Sequence, residues 1–326
     1  MTAASEPVLS IRGLRTEFPT SRGKVVAVEG VDLDVAPGEC LGVVGESGSG
    51  KSVTFLSALG LIRHPGRVSG TARFGGRDLL SMNESERRHI RGRDLAITFQ
   101  DAQTALNPAL TVGRQIIEVL EAHSPGSRAE NKRAAIDMLA RVGIPDPASR
   151  LDNFPHQFSG GMRQRAMIAT ALVCKPRLLI ADEPTSALDV TVQAQVLDLI
   201  GEMRRQLGMS VVLIAHDLGV VAEHCDRIAV MYAGQVVECG RTEDIIENPQ
   251  HPYTRGLIAS APWLGDLERE IEPMPGAVPN LIDLPPGCHF APRCNHRNGG
   301  CDAPVALVSM DAGREVRCVR VGEFAA

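Results

Sequence analysis

The feature that most constrains the fold is a glycine-rich loop set between an apolar run and a helix-like segment. The loop reads Gly45, Glu46, Ser47, Gly48, Ser49, Gly50, Lys51, Ser52. This order matches the phosphate-loop pattern without a mismatch. Residues 40–44 before it form a continuous apolar run, typical of a strand buried on both faces, and residues 53–61 after it have helical spacing. The context therefore favours a nucleotide site over a Gly/Ser turn that binds nothing.

The chemistry of this loop follows from its residue types. Glycines let successive backbone N–H groups point into one concavity, and the helix N-terminus adds partial positive charge. We expect Lys51 to reach the β- and γ-phosphates of ATP and the Ser52 hydroxyl to bind Mg²⁺.

A second strand–turn–helix unit follows further along the chain. Residues 178–181 are an apolar strand, residues 190–206 a helix, and residues 211–215 the next strand. Strands that alternate with helices predict an α/β fold with a mostly parallel sheet covered on both sides. Helical spacing over residues 111–143 predicts a helical region, and period-two alternation in residues 8–35 predicts strands.

Composition limits the class of protein. The chain has 326 residues, 44% hydrophobic and 22% charged, with a net charge of −5. A general nucleic-acid binder is usually basic, so we expect no nucleic-acid partner. No apolar run approaches the roughly 20 residues that span a bilayer, and the N-terminus has no signal-peptide pattern. We expect a cytoplasmic protein that relies on other chains for any membrane crossing.

Two further motifs carry candidate chemistry. Asp182 and Glu183 end the second strand: Asp182 is expected to hold Mg²⁺ and Glu183 to polarise the attacking water as general base. Two solvated acids at a strand end are the alternative. A second glycine-rich element contains Ser159, Gly160, Gly161 and Met162. It does not serve the nucleotide held by the first loop, so we expect it to face a nucleotide on another subunit.

Together these segments resemble the ATP-binding subunits of ABC transporters over residues 8–260. The resemblance implies an ABC-type P-loop ATPase domain at residues 1–250, with a RecA-like core, an antiparallel β subdomain and a helical subdomain at about residues 105–160. It implies that Gln100 contacts Mg²⁺ and the water, that His216 contacts the γ-phosphate, and that Asp189 belongs to a segment, residues 186–189, facing the partner subunit. Ser159 and the amides of Gly160 and Gly161 would cap the partner's γ-phosphate. Phe18 would stack on adenine, with a core aromatic as the alternative.

A narrower resemblance is to the oligopeptide/dipeptide (and nickel) importer ATPases. It rests on residues 104–108, 154–159, 248–255 and 287–294, and on Met162, which stands where the wider family most often has Gln. It implies a peripheral subunit on the cytoplasmic face of the membrane, paired with a second, similar ATPase and two permease chains and fed indirectly by an extracytoplasmic binding protein. Peptide cargo is expected, with nickel or glutathione-like cargo, a non-transport ABC ATPase and a redox sensor as alternatives.

The C-terminal extension, residues 251–326, is rich in proline and holds four of the eight cysteines: Cys288, Cys294, Cys301 and Cys318. A cytosolic protein keeps thiols reduced, so disulfides are not expected. Four thiolates suit either Zn²⁺ or an iron–sulfur cluster. No Cys-x₂-Cys pair is present, the wide gaps favour the larger cluster, and the importer resemblance supports 4Fe–4S. Unligated thiols, or a mixed zinc site with His289 or His296, are the alternatives. The other four cysteines are expected to be scattered, small buried residues.

Overall fold

The computed structural model describes residues 6–100, 102–124, 126–185, 188–261, 274–310 and 313–323. It divides into two compact units. Unit 1 comprises residues 1–81 and 214–326, and unit 2 comprises residues 82–213. Ser186 and Ala187 of the predicted partner-facing segment lie outside the described residues, as do residues 262–273 of the predicted extension.

The strands are β1 (Leu9–Thr20), β2 (Gly23–Val35), β3 (Cys40–Val44), β4 (Arg67–Phe74), β5 (Arg77–Asp78), β6 (Leu95–Thr98), β7 (Leu178–Asp182), β8 (Ser210–Ile214), β9 (Arg227–Tyr232), β10 (Gln235–Arg241), β11 (Val308–Ser309) and β12 (Glu315–Val316). The helices are α1 (Lys51–Ala58), α2 (Glu84–Ile90), α3 (Ala102–Ala105), α4 (Val112–His123), α5 (Arg128–Arg141), α6 (Pro147–Arg150), α7 (Gly160–Leu172), α8 (Val190–Leu207), α9 (Leu218–His224), α10 (Thr242–Glu247) and α11 (Pro252–Ser260). Short 3₁₀ turns occur at Pro155–Gln157, Ala291–Arg293 and Gly299–Asp302.

Unit 1 contains an antiparallel sheet in the order β2-β1-β4-β5, which confirms the predicted antiparallel β region. It also holds β3, which runs parallel to β9 with Val43 opposite Ala229. All five residues of β3 are buried, as the apolar run predicts for a strand covered on both faces.

The C-terminal extension contributes to the fold of unit 1. Strand β12 pairs antiparallel with β10, with Glu238 opposite Val316, and β11 pairs with β12. The proline-rich composition predicts only an appended module on an extended linker. The difference arises because β12 is two residues long, too short to produce a period-two signal.

Unit 2 is built on β6 and β7, which run parallel with Ile97 opposite Ile180, and β8 is hydrogen-bonded beside β7. All positions of β7 and β8 are buried. The predicted helical region at 111–143 divides into α4 and α5. The break is explained by Ser127, whose hydroxyl caps α5 while the Glu130 carboxylate accepts the Ser127 N–H at 2.8 Å, a capping box. Among the described residues, we find no helix with the length and apolar character that a membrane crossing requires.

Candidate nucleotide site and cysteine cavity

The predicted phosphate loop, residues 45–52, connects β3 to α1 in unit 1. Gly45, Gly48 and Gly50 have φ values of +153°, +79° and +97°. A Cβ on Gly45 would lie 2.1 Å from the carbonyl oxygen of Met231, and one on Gly50 would lie 2.5 Å from that of Ala27. Glycine is therefore required at positions 45 and 50 both by the backbone conformation and by the close approach of backbone atoms from neighbouring strands.

Lys51 is buried, at 6% exposed. Its Nζ donates to the carbonyl oxygens of Gly45 at 2.7 Å and Glu46 at 3.1 Å, so the ammonium lies against the loop backbone. The nearby Ser49 hydroxyl is buried and has no hydrogen-bond partner among the described protein atoms. A buried ammonium and an unsatisfied hydroxyl on a glycine-rich turn are donors that fit a phosphate group.

In unit 2 the structure brings Gln100 and Glu183 together. Each follows the carboxyl end of one of two parallel strands, β6 and β7, so their side chains emerge at the same sheet edge. The Gln100 Nε2 donates to the Glu183 Oε2 at 2.5 Å. Glu183 is a non-glycine residue at φ +44°, a strained conformation that clusters at functional sites. Asp182 is the last residue of β7 and is 7% exposed.

The second glycine-rich element begins α7. Ser159 is its N-cap, and the Ser159 hydroxyl accepts the N–H of Met162 at 3.3 Å. Ser159 and Gly160 are exposed, whereas Gly161 and Met162 are half-buried. A Cβ on Gly161 would lie 2.8 Å from a methyl of Val192, so the first turns of α7 and α8 approach closely. The exposed start of α7 carries the positive end of the helix dipole.

Asp189 and His216 lie at two further element ends. Asp189 is the N-cap of α8, and its carboxylate accepts the Val192 N–H at 2.9 Å. His216 follows β8 directly and is exposed. The first of these residues thus has a clear local role in starting a helix, separate from any contact with a nucleotide.

Phe18 is half-buried near the end of β1. Its Cε1 would lie 2.7 Å from a Cβ on Gly66, so that glycine leaves room for the ring. Both the stacking role and the core role of Phe18 stay predictions.

The four tail cysteines line one cavity in unit 1, together with His251, His296, Arg320 and apolar side chains. The Cys288 N–H donates to the carbonyl oxygen of Cys301 at 2.9 Å, and a Cβ on Gly287 would lie 2.1 Å from that same oxygen, so two distant loop segments are in close contact. Nevertheless, no group of three or more His, Cys, Asp or Glu side chains within the described ranges is arranged so that it could hold a metal ion. His289 does not line this cavity; its Nδ1 is 2.8 Å from the carbonyl oxygen of Ala233.

The thiols in this cavity have shifted acidities. Burial raises the pKa of Cys288 to about 11, and burial also raises the pKa values of Cys294 and Cys318. A backbone N–H two residues on opposes each rise, from Phe290, His296 and Arg320 respectively. N–H groups aimed at sulfur favour the thiolate and are a known way of tuning metal-bound cysteines.

The remaining four cysteines are not all scattered. Sγ of Cys40 lies 3.4 Å from Sγ of Cys225, and both residues are buried. Cys239 is also buried, while Cys174 is half-buried. The expectation that these residues are buried is therefore confirmed for Cys40, Cys225 and Cys239 and wrong for Cys174. The expectation that they are scattered is wrong for the pair of Cys40 and Cys225. The pair escapes a sequence reading because 185 positions separate its members.

Sequence reasoning missed two residues that contact the phosphate loop. The Tyr253 hydroxyl accepts the N–H of Glu46 at 2.9 Å, and Arg293 donates to both carboxylate oxygens of Glu46. Both residues belong to segments that carry the importer resemblance. No local pattern relates them to the loop, because they are 207 and 247 positions away.

Comparisons with known proteins agree with these observations. A family model described as ABC transporter matches residues 28–186, and one described as Oligopeptide/dipeptide transporter, C-terminal region, matches residues 237–301. The chain is 48% identical to the "Putative peptide import ATP-binding protein" of Brucella melitensis, over 98% of this chain and 99% of that one. It is 51% identical to the dipeptide transport ATP-binding protein DppD of Bacillus subtilis, over 91% of this chain and 89% of that one.

Solved structures share the fold. The ATP-binding cassette MJ0796, solved as a dimer in a post-hydrolysis state bound to ADP and Pi, superposes with a TM-score of 0.65 at 25% identity, covering 72% of this chain and 98% of that one. The cbiO1 protein of Clostridium perfringens, part of an ABC transporter complex, has a TM-score of 0.63 at 26% identity, covering 74% of this chain and 92% of that one. The chain has the P-loop ATPase fold of these cassettes and belongs to the family of ABC transporter ATP-binding proteins.

Proposed function

We propose that this chain is the ATP-hydrolysing subunit of an importer for dipeptides or oligopeptides. The observation that carries the proposal is the joint presence of an ABC ATPase region and an oligopeptide-transporter C-terminal region in one chain. As an ATPase of an ABC importer it works with transmembrane permease subunits. We further propose a second, homologous ATPase as its partner, two permease chains, a peripheral position on the cytoplasmic face of the membrane, and an extracytoplasmic binding protein that delivers cargo.

The ATP site is proposed to use the residues singled out by the sequence. Lys51 and the backbone of residues 45–52 hold the phosphates, with Phe18 against the adenine. Ser52, Asp182 and Gln100 are the proposed ligands of Mg²⁺, which neutralises charge on the phosphate oxygens. Glu183 accepts a proton from the attacking water, and the Gln100 amide that donates to Glu183 orients its carboxylate. His216 is assigned to the γ-phosphate.

The partner's nucleotide is proposed to be capped by Ser159, Gly160 and Gly161, with Met162 and Asp189 beside them. The exposed, dipole-positive start of α7 supports this role, because a γ-phosphate is an anion that a helix N-terminus attracts. Two ATPase subunits would therefore close on ATP and separate after hydrolysis, which drives the permeases.

The test is the replacement of the general base. Glu183→Gln should retain ATP and lower turnover by about 10²–10⁴-fold, while Asp198→Asn, at an exposed position of α8, should hydrolyse at the wild-type rate. Single-turnover hydrolysis by the purified complex measures both. Normal turnover by Glu183→Gln would refute the assignment of the base.

The cargo and the class of machine need a separate experiment. A tagged full-length chain purified from membranes should bring down two permeases and a second ATPase, and the reconstituted complex should import dipeptides. Import of nickel or glutathione-like molecules instead would change the cargo. Purification without any permease would favour a non-transport ATPase, and loss of ATPase activity on oxidation would then favour a redox sensor.

For the cysteine cavity we propose a 4Fe–4S cluster held by Cys288, Cys294, Cys301 and Cys318, with Zn²⁺ as the alternative. Two observations support the proposal: four thiols line one cavity, and backbone N–H groups are directed at three of them. A bound cluster would supply positive charge that stabilises thiolates against the burial that raises their pKa values.

Anaerobic purification separates the two metals. A cluster predicts brown protein that absorbs near about 400 nm and contains iron and sulfide, whereas zinc predicts colourless protein with stoichiometric zinc. Cys301→Ser should remove the signal and Cys174→Ser, outside the extension, should keep it. Protein that contains neither iron nor zinc would refute the proposed metal site in the cysteine cavity.

A further inference from the structure

Glu46, the second residue of the phosphate loop, is held at three points in unit 1. Its N–H donates to the Tyr253 hydroxyl at 2.9 Å. Its carbonyl oxygen accepts the Lys51 Nζ at 3.1 Å and the Ser49 N–H at 3.1 Å. Its carboxylate accepts two hydrogen bonds from Arg293, at 2.7 Å and 3.0 Å. The position of Glu46 is therefore linked directly to that of the loop lysine.

Arg293 is itself tightly fixed. Its side chain is 5% exposed. Its Nε donates to the carbonyl oxygen of Pro275 at 2.9 Å, and its guanidinium lies 5.7 Å and 5.8 Å from the ring centroids of Tyr232 and Phe290. A guanidinium that is planar, stacked on aromatic rings and bidentate to a carboxylate has a defined geometry that a lysine cannot reproduce.

The same aromatic cluster holds Tyr253. Its ring centroid is 4.6 Å from that of Tyr232 and 5.4 Å from that of Phe290, and Tyr253 is fully buried. Phe290 and Arg293 are both in the extension, so the extension supplies part of the packing that aims the Tyr253 hydroxyl at the loop.

A second connection reaches the loop at Ser49. The ring of His289, also in the extension, is hydrogen-bonded to the carbonyl oxygen of Ala233, and the next residue, Gly234, donates its N–H to the carbonyl oxygen of Ser49 at 3.0 Å. Residues four positions apart in the extension thus support two points of the phosphate loop.

We propose that the C-terminal extension maintains the ATP-binding shape of the phosphate loop, with Arg293 and Tyr253 as positioning residues acting through Glu46. Neither residue is assigned a contact with ATP. They fix the peptide whose carbonyl oxygen holds Lys51, and a shift of that peptide displaces the lysine from the place where a triphosphate would meet it. The inference rests on the proposed role of residues 45–52 as the nucleotide site.

The test measures ATP affinity of the full-length chain by titration with a fluorescent ATP analogue, together with the thermal unfolding midpoint. Arg293→Gln should weaken binding by about tenfold, which corresponds to about 1.4 kcal/mol. Arg293→Lys should recover only part of this loss, because lysine restores the positive charge but cannot donate the two parallel hydrogen bonds of the guanidinium. Arg297→Gln is the matched control, since that exposed arginine of the same extension pairs with exposed Asp302 and should leave affinity unchanged.

Two further variants keep the inference open to refutation if Arg293→Gln folds poorly. Tyr253→Phe retains the aromatic packing and removes only the hydroxyl that accepts the Glu46 N–H, and it should also weaken ATP binding. Glu46→Gln should weaken binding as Arg293→Gln does, and the double variant should be no weaker than either single variant, because both break one interaction.

The outcomes are distinct. Wild-type affinity in Arg293→Gln and Tyr253→Phe, with or without a lower unfolding midpoint, would overturn the inference and leave these residues a purely structural role. Additive losses in the double variant would also overturn it. A wild-type chain that binds no ATP analogue would instead refute the proposed function of the loop.

Discussion

A buried ion pair on β10 gives the sharpest quantitative prediction for stability. Glu238 is fully buried, and its carboxylate accepts the N–H groups of Gln250 at 2.8 Å and His251 at 3.0 Å. It also accepts two hydrogen bonds from Arg314, which is itself 7% exposed and donates in addition to the carbonyl oxygen of Asn248. One carboxylate therefore joins β10, the segment before α11 and the region next to β12.

The variant Glu238→Gln keeps the volume and removes the charge. One carboxylate oxygen becomes an NH₂ group, so at least one of the N–H donors now faces another donor, and Arg314 is left buried without its counter-ion. Breaking a buried ion pair by changing one partner costs about 3–5 kcal/mol. The amide oxygen of the new side chain retains part of the hydrogen bonding, so we expect the lower end, about 3 kcal/mol.

Urea denaturation followed by circular dichroism measures this loss as a change in the free energy of unfolding. The control is Glu243→Gln, because that side chain is 74% exposed and its partner Arg241 is 64% exposed. Such a surface pair contributes about 0.5 kcal/mol or less. In a double-mutant cycle, Glu238→Gln and Arg314→Gln should be strongly non-additive. If Glu238→Gln proves as stable as Glu243→Gln, the argument that this pair secures the extension is wrong.

Three further predictions concern single residues. Gly50→Ala should lower stability by about 1–3 kcal/mol and abolish ATP binding, because its Cβ would lie 2.5 Å from a carbonyl oxygen. The control Gly48→Ala meets no atom within 4 Å and should cost only about 1 kcal/mol of backbone strain. Denaturation measures the two stabilities, and nucleotide titration measures the two affinities. Asp189→Ala should lose about 1 kcal/mol of stability through the cap of α8, and Asp189→Asn should retain the cap; equal losses in the two would exclude capping as the cause. Burial raises the pKa of Cys239 to about 11, above the roughly 8.5 of an unfolded thiol. Between these two pKa values the unfolded chain loses the thiol proton and the native chain keeps it, so stability should fall as pH rises. Denaturation at a series of pH values should show a shallower fall for Cys239→Ala.

The sequence correctly predicts those strands, helices and turns whose patterns lie within one short segment of the chain. The continuous apolar runs correctly indicate β3 and β7, and the alternation of strands and helices correctly indicates an α/β fold. The glycine pattern at residues 45–52 identifies a loop whose backbone angles require glycine at 45 and 50. Each of these features depends on residues within about ten positions of one another, which is the range over which periodicity and turn chemistry act.

Contacts between distant segments are what the sequence does not reveal. Arg293 and Glu46 are each ordinary charged residues in their own surroundings, and only the folded chain makes them a bidentate pair. Gln100 and Glu183 are an intermediate case: parallel strands place their carboxyl ends together, yet the order of strands must be known before the hydrogen bond can be inferred.

The contacts of the C-terminal extension bear on whether it is a separate module. The boundary proposed at residues 250 and 251 separates two compositions, but hydrogen bonds cross it in unit 1 at β10–β12, at Glu238–Arg314 and at Glu46–Arg293. A chain cut at this boundary would expose the edge of β10 and leave the buried Glu238 without its arginine, so it is expected to be an unstable fragment and not a minimal ATPase. Cys294 directly follows Arg293, so a single peptide bond joins a cysteine of the cavity to the residue that hydrogen-bonds Glu46 of the phosphate loop. The extension is thus held to the rest of unit 1 by strand pairing and by two ion pairs, unlike a separate module carried on a linker.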